Sequence, residues 1–312
     1  MKKKIGRMFL FGLVFVFRFI PWRIAYLISD FLFFVGYRLF SIDIDRIRRN
    51  VNRCFPDEPA WRQAEIEREV YAYRIDYIIE FIKATTSSRA SLCRRVKLKL
   101  HPDMKVAAGD TFPPCILWHG HYGCLDLLPH YPLMLGCEQL FVAVTPFKHE
   151  GVERLLKRSR ERLSAATVHK NCVARTVHRG VLDGKGFAFV LAADSLPSDG
   201  QGALVCDFFS QPVRFYSGPE RLVERHSLLM FYAEMRRVSR GHYEVSFVRL
   251  ESSTGVTGEL TQQAAHCYEA AIKRDPALCT GFWLSRNAVQ SILSNPKAPG
   301  SPLTSSDGVV SS

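Results

Sequence analysis

From Cys115 to Asp126 the chain reads CILWHGHYGCLD, which sets His121 just past a short apolar run and places a carboxylate, Asp126, five residues after it. A histidine held by a carboxylate takes a proton from a hydroxyl near neutral pH, because its ordinary pKa already lies in that range. The chemistry this pair suits is acyl transfer to an alcohol. Spacing limits the geometry, since residues five apart on a regular helix are rotated by about 140° and share no face. His121 is therefore expected outside the helix that follows. Gly120 and Gly123 permit a sharp turn there, and Leu125, Leu127 and Leu128 would carry the chain from it into a buried helix. His-x4-Asp is a common spacing, and its place at the end of an apolar strand adds the weight, because open α/β sheets put their chemistry at the carboxyl ends of strands. His119, two residues earlier, is read as satisfied by backbone or as a support to His121.

The elements that must position this pair alternate along the chain. Cys115–Trp118, Leu140–Val144, Phe187–Ala193, Leu228–Glu234 and Tyr243–Leu250 read as strands, and helical periodicity falls near 125–135, 151–164, 173–183 and 218–226. That alternation predicts an α/β domain with a central, mostly parallel sheet flanked by helices. Two helices near 258–274 and 276–293 would close it. Ahead of the sheet, Arg62 to Lys83 forms a long helix with Ile66, Val70, Tyr73, Tyr77 and Phe81 on one stripe and Ile75, Ile78, Ile79 and Ile82 beside it, a pattern read as core. Asn295–Ser312, rich in Ser, Pro and Gly, reads as a disordered tail.

The N-terminus opens MKKKIGR and is apolar from Met8 to Phe17 and again from Ile24 to Phe40, with charges interrupting both runs. Neither reaches the roughly 20 uncharged residues of a comfortable spanning helix, and no small-residue cleavage site follows. Pro21 separates the halves, and Trp22, Tyr26 and Tyr37 are of the types that settle at a water–lipid boundary. Residues 1–53 hold eleven Lys and Arg against three Asp, which fits attachment to an anionic cytoplasmic leaflet. The expected organisation is a membrane anchor or interfacial helices over 1–45, a catalytic domain over 46–293 and the tail over 294–312.

A second basic segment, Lys148–Arg179, carries nine Lys and Arg against three Glu, and its helix turns Arg154, Lys157, Arg158, Arg160 and Arg162 outward. Such a ridge would steer an acidic protein or a phosphorylated lipid surface. Nucleic acid is not expected despite the net charge of +12, because no helix-turn-helix, zinc-finger or RNA-binding signature is present. The nine cysteines are scattered with no C-x-x-C pair, so zinc is not expected, and reduced thiols on the cytoplasmic side are.

Taken in order, these segments resemble the lipid A biosynthesis acyltransferases, the late or secondary acyltransferases within the glycerolipid acyltransferase superfamily, over about residues 8–293. LWHGHYGCLDLL is similar to that family's His-x4-Asp/Glu block, IRRNVNRCFPDEP to its Asn-x-x-x-x-Phe-Pro element, FAFVLAAD to its strand ending in Ala-Asp-Gln, and CDFFSQPVRFYSGPERL to its Phe-Phe-Gly-x-Pro-Ala segment with a Gly at a helix start. The chain departs in reading Ala-Asp-Ser at Asp194–Ser195, in placing Pro219, Glu220 and Arg221 after the glycine, and in keeping only Trp283 and Arg286 of a Trp/His/Arg/Arg run. The resemblance implies His121 as general base and Asp126 as its orienting acid. It also implies that Arg175 holds a phosphate and that Asp194 and Gly218 shape the substrate pocket. The implied donor is acyl carrier protein or acyl-CoA, the acceptor a lipid A precursor, the place the cytoplasmic side of the inner membrane, and no metal or other cofactor takes part. Two alternatives are an acyltransferase acting on a lysophospholipid or aminoacyl lipid, and a catalytically inactive lipid-binding relative.

Overall fold

The computed structural model describes residues 12, 14–41, 43–106, 110–124, 127, 135–146, 150–162, 164–194 and 202–279. Ahead of the sheet, after helical residues at 14–19, come α1 (Trp22–Phe33), continued by a π-turn over Phe34–Leu39, α2 (Ile44–Cys54), α3 (Ala60–Thr86) and the short α4 (Arg89–Cys93). Pro21, whose ring cannot continue a preceding helix, stands at the start of α1. α1 is amphipathic: Ala25 and Ser29 are buried, whereas Ile24, Leu27 and Phe31 face outward. Among the described residues no helix is long and apolar enough to cross a membrane.

α3 packs on α1 and α2, and its buried face differs from the expected apolar stripe. Ile66, Val70, Tyr73 and Ile79 are buried as their spacing suggests, but so are Glu67, Asp76, Glu80 and Lys83, while Ile78 is exposed. The polar groups go in because the N-terminal helices supply their partners. Ser29 donates to Asp76 at 2.6 Å, Tyr26 to Glu80 at 3.0 Å, and the Lys83 ammonium donates to the carbonyls of Phe17 and Ile20 at 3.0 and 2.8 Å. A periodicity count scores these residues as solvent-facing, because it contains nothing of the helix laid across them.

Seven strands form the central sheet, in the order β1-β9-β8-β2-β5-β3-β4: β1 (Val96–Lys99), β2 (Cys115–His119), β3 (Gln139–Val144), β4 (Ala165–His169), β5 (Phe187–Ala192), β8 (Leu229–Ser239) and β9 (His242–Leu250). β6 (Ala203–Phe208) and β7 (Gln211–Tyr216) make a separate hairpin. The run from β8 through β2, β5 and β3 to β4 is parallel, and β9 returns antiparallel to β8. Connections are made by α5 (Glu150–Glu161), α6 (Val173–Leu182) and α7 (Gly218–His226), so the sheet is mostly parallel and flanked by helices, as the alternation predicts. Every residue of β2 is buried, which is what a central parallel strand covered on both faces requires.

β1, β4 and the hairpin have no counterpart in the sequence reading. β1 reads Val-Lys-Leu-Lys, a charged pattern suited to the sheet edge it occupies. The hairpin turns through Phe209 and Ser210, both at φ +53°, where Asn-Gly or Gly would have signalled the turn. At the C-terminal side, α8 (Glu259–Arg274) forms as expected, and the buried Glu220 carboxylate of α7 accepts from the backbone N–H groups of Gly258, Leu260 and Thr261 at its start. The helix expected over 276–293 begins otherwise. Asp275 leaves helical geometry ahead of Pro276, Pro276–Leu278 make one 3-10 turn, and Cys279 enters an antiparallel bridge with Tyr122. Residues 280–293, most of the helix expected near 125–135, and the tail lie outside the described residues.

Candidate active site

β2 ends at His119, and the chain then turns over its carboxyl end. His119 pairs with Ala192 in the register between β2 and β5, so two residues further on His121 stands beside Asp194. The imidazole Nδ1 of His121 lies 2.6 Å from Asp194 Oδ1, and the backbone N–H of the same histidine donates to Oδ2 at 2.8 Å. One carboxylate therefore holds both the ring and the main chain of His121. The Asp194 side chain is only 7 % exposed against 43 % for His121, so the acid is buried and the base is open. Burial would raise the Asp194 carboxyl, but the adjoining His121, its two hydrogen bonds and the Tyr268 hydroxyl outweigh this and hold it below the ordinary carboxylate range. With Nδ1 facing the carboxylate, the base of this imidazole is Nε2.

Close packing fixes the turn. A Cβ on Gly120 would lie 2.5 Å from a ring carbon of Tyr268, and Gly123, at φ +71°, presses against Met235, so neither position accepts a side chain. The N–H of Gly123 donates to Leu278 O at 2.8 Å, and the Tyr122 hydroxyl donates to Ala271 O at 2.8 Å and approaches Asp275 O at 3.1 Å. His119 is fully buried. Its Nδ1 meets the Gly120 carbonyl at 2.6 Å and therefore carries the proton, while burial pushes the ring's pKa down to about 4, so it stays neutral.

The other residues singled out in the sequence fall around this centre at different distances. Asp126 lies outside the described residues. Asp194, read as shaping a pocket, instead touches the histidine itself; two strands that each end in a reactive residue were visible in the sequence, but the register that joins them was not. Gly218 opens α7, which runs back against β8 and packs on β2, and a side chain there would strike the Tyr216 ring. Arg175 is exposed on the first turn of α6, just after β4. This is the carboxyl end of the sheet, but three strand spacings of about 4.8 Å separate β4 from β2. Among the described residues no group of three or more His, Cys, Asp and Glu side chains converges in a way that would hold a metal ion.

A histidine with one ring nitrogen fixed by a buried carboxylate and the ring open to solvent is equipped to remove a proton from a bound hydroxyl. The model of the family described as bacterial lipid A biosynthesis acyltransferase matches residues 2–287. No individual curated protein matches the chain.

Proposed function

Because the chain belongs to the bacterial lipid A biosynthesis acyltransferase family, we propose that it transfers a fatty acyl chain from a thioester to a hydroxyl of a lipid A precursor with His121 as general base. The observation that carries this reading is the His121–Asp194 contact of 2.6 Å at the carboxyl end of β2. Nε2 of His121 takes the proton of the acceptor hydroxyl as its oxygen attacks the thioester carbonyl. The new C–O bond forms, the C–S bond breaks, and the departing sulfur receives the proton from the imidazolium. Asp126, the acid of the His-x4-Asp block, is assigned to support His121 alongside Asp194. Arg175 and Gly218 are assigned to the binding of the acceptor.

Deletion of the gene, followed by mass spectrometry of extracted lipid A, tests the reading. The expected spectrum lacks one acyl chain, which wild type restores and His121→Ala does not. An unchanged spectrum in a strain with no second enzyme of this kind would overturn the acceptor assignment and direct the assay to lysophospholipids and aminoacyl lipids. Restoration by His121→Ala would mean that the reading of His121 and its acid as the catalytic dyad is wrong.

The donor proposed is acyl carrier protein, an acidic thioester carrier, and the exposed Arg154, Lys157 and Arg158 of α5 support it. Reversing these three charges to Glu is expected to raise KM for the carrier-protein thioester about tenfold or more and to leave acyl-CoA turnover within about twofold. Equal effects on both donors would overturn the assignment. The proposed place is the cytoplasmic face of the inner membrane, with the chain lying on the surface. The outward face of α1 supports this, since Leu27 is 66 % exposed and Phe31 64 %. In co-sedimentation with anionic vesicles, Leu27→Asp/Phe31→Asp is expected to lose most of the bound fraction. Full retention would exclude this face as the contact.

A further inference from the structure

Asp194 Oδ2 has a second donor besides the backbone of His121. The Tyr268 hydroxyl, on α8, approaches it at 3.1 Å. A carboxylate only accepts, so the tyrosine's single proton is committed to Asp194, and the Cys279 thiol, 3.5 Å from the same oxygen, is left to donate. The hydroxyl is kept protonated, because burial, then Cys279 and Asp194, raise it well above the ordinary tyrosine value. The ring is equally engaged. It stacks on Phe208 at 5.6 Å, meets Trp118 edge-on at 5.9 Å, and fills the space above Gly120. One buried side chain thus touches both determinants of His121's geometry, the turn that carries it and the carboxylate that orients it.

We propose that Tyr268 is a positioning residue for His121, acting through Asp194, so that α8 rather than the strand end alone sets the orientation and basicity of the histidine. α8 meets the turn again at Ala271, whose carbonyl accepts from the Tyr122 hydroxyl at 2.8 Å. This inference rests on the reading of His121 as the base. Asp194 faces His121 and Tyr268, and the buried, neutral His119 feels both Asp194 and His121, so removing the tyrosine hydroxyl concentrates the carboxylate's charge on the imidazole.

The experiment is Tyr268→Phe in the full chain, with the ring and its packing retained. The first readout is the titration of the His121 imidazole by NMR, assigned by comparison with His121→Ala, and it needs no substrate. The His121 midpoint is expected to move up by about 0.3 pH units or more. The second is steady-state acyl transfer, where kcat is expected to fall about tenfold, the size of one hydrogen bond to a charged group, with KM within about twofold. A melting temperature near that of wild type confirms that the variant is folded. An unchanged midpoint overturns the proposal whatever the activity. A moved midpoint in a protein whose wild type transfers no acyl chain upholds the coupling and overturns the acyl-transfer reading instead.

Discussion

His121→Ala is expected to lower kcat/KM for acyl transfer by about 10²-fold or more, the usual loss when a general base is removed, and Asp194→Asn is expected to approach the same loss. The second expectation follows from geometry. Asp194 fixes Nδ1 at 2.6 Å and the backbone N–H at 2.8 Å, and the asparagine amide can serve only one of these with an oxygen. Presented to Nδ1 as an N–H donor, it would select the wrong tautomer and turn the lone pair of the ring away from the acceptor hydroxyl. The two variants should not be additive, because the acid acts only through the base. Steady-state kinetics of the two single variants and the double variant with a carrier-protein thioester measure this directly, with Asp126→Asn assayed beside them. If Asp194→Asn behaves as wild type while Asp126→Asn is inactive, the orienting role returns to the acid of the His-x4-Asp block. Wild-type turnover by His121→Ala would remove the histidine from the mechanism altogether.

How much of this was legible in the sequence depends on whether the interaction is local. β2 and β5 are visible as apolar runs because a strand buried on both faces needs little but hydrophobic side chains, and His121 is visible because a turn with two glycines follows such a run. Asp194 was visible as the end of FAFVLAAD, yet its pairing with His121 depends on the register His119↔Ala192, which brings together segments 73 residues apart in sequence. Tyr268 gave no signal at all. Its place on α8 reads as an ordinary apolar position, and only the packed structure turns its hydroxyl toward a carboxylate. The polar face of α3 shows the same limit from the other side. Glu80 and Asp76 look like solvent positions until α1, more than 40 residues earlier, is laid over them.

Glu80→Gln is expected to raise the stability of the protein at pH 8 and to change it little at pH 5. Glu80 is 0 % exposed, its carboxylate accepting from Tyr243 at 2.6 Å and Tyr26 at 3.0 Å. Burial, reinforced by nearby Asp76 and only partly offset by the two tyrosines and Arg237, pushes its pKa up from 4.5 to about 7. The folded state therefore binds this proton more tightly than the unfolded chain does. Stability is then greatest below 4.5, declines as the pH rises toward about 7, and is level above it. At about 1.36 kcal/mol per pH unit, that interval corresponds to about 3 kcal/mol. A glutamine keeps the shape and can accept from one tyrosine while donating to another, but carries no charge to desolvate. Thermal melts of wild type and Glu80→Gln at pH 5 and pH 8 should converge at the lower pH and separate at the higher, with the variant melting later. Equal destabilisation at both would mean that the ionised carboxylate is the form the tyrosines stabilise. In that event Tyr243→Phe, which removes its shortest donor, should destabilise equally at the two pH values, whereas a carboxyl that titrates near 7 gives the larger loss at pH 8.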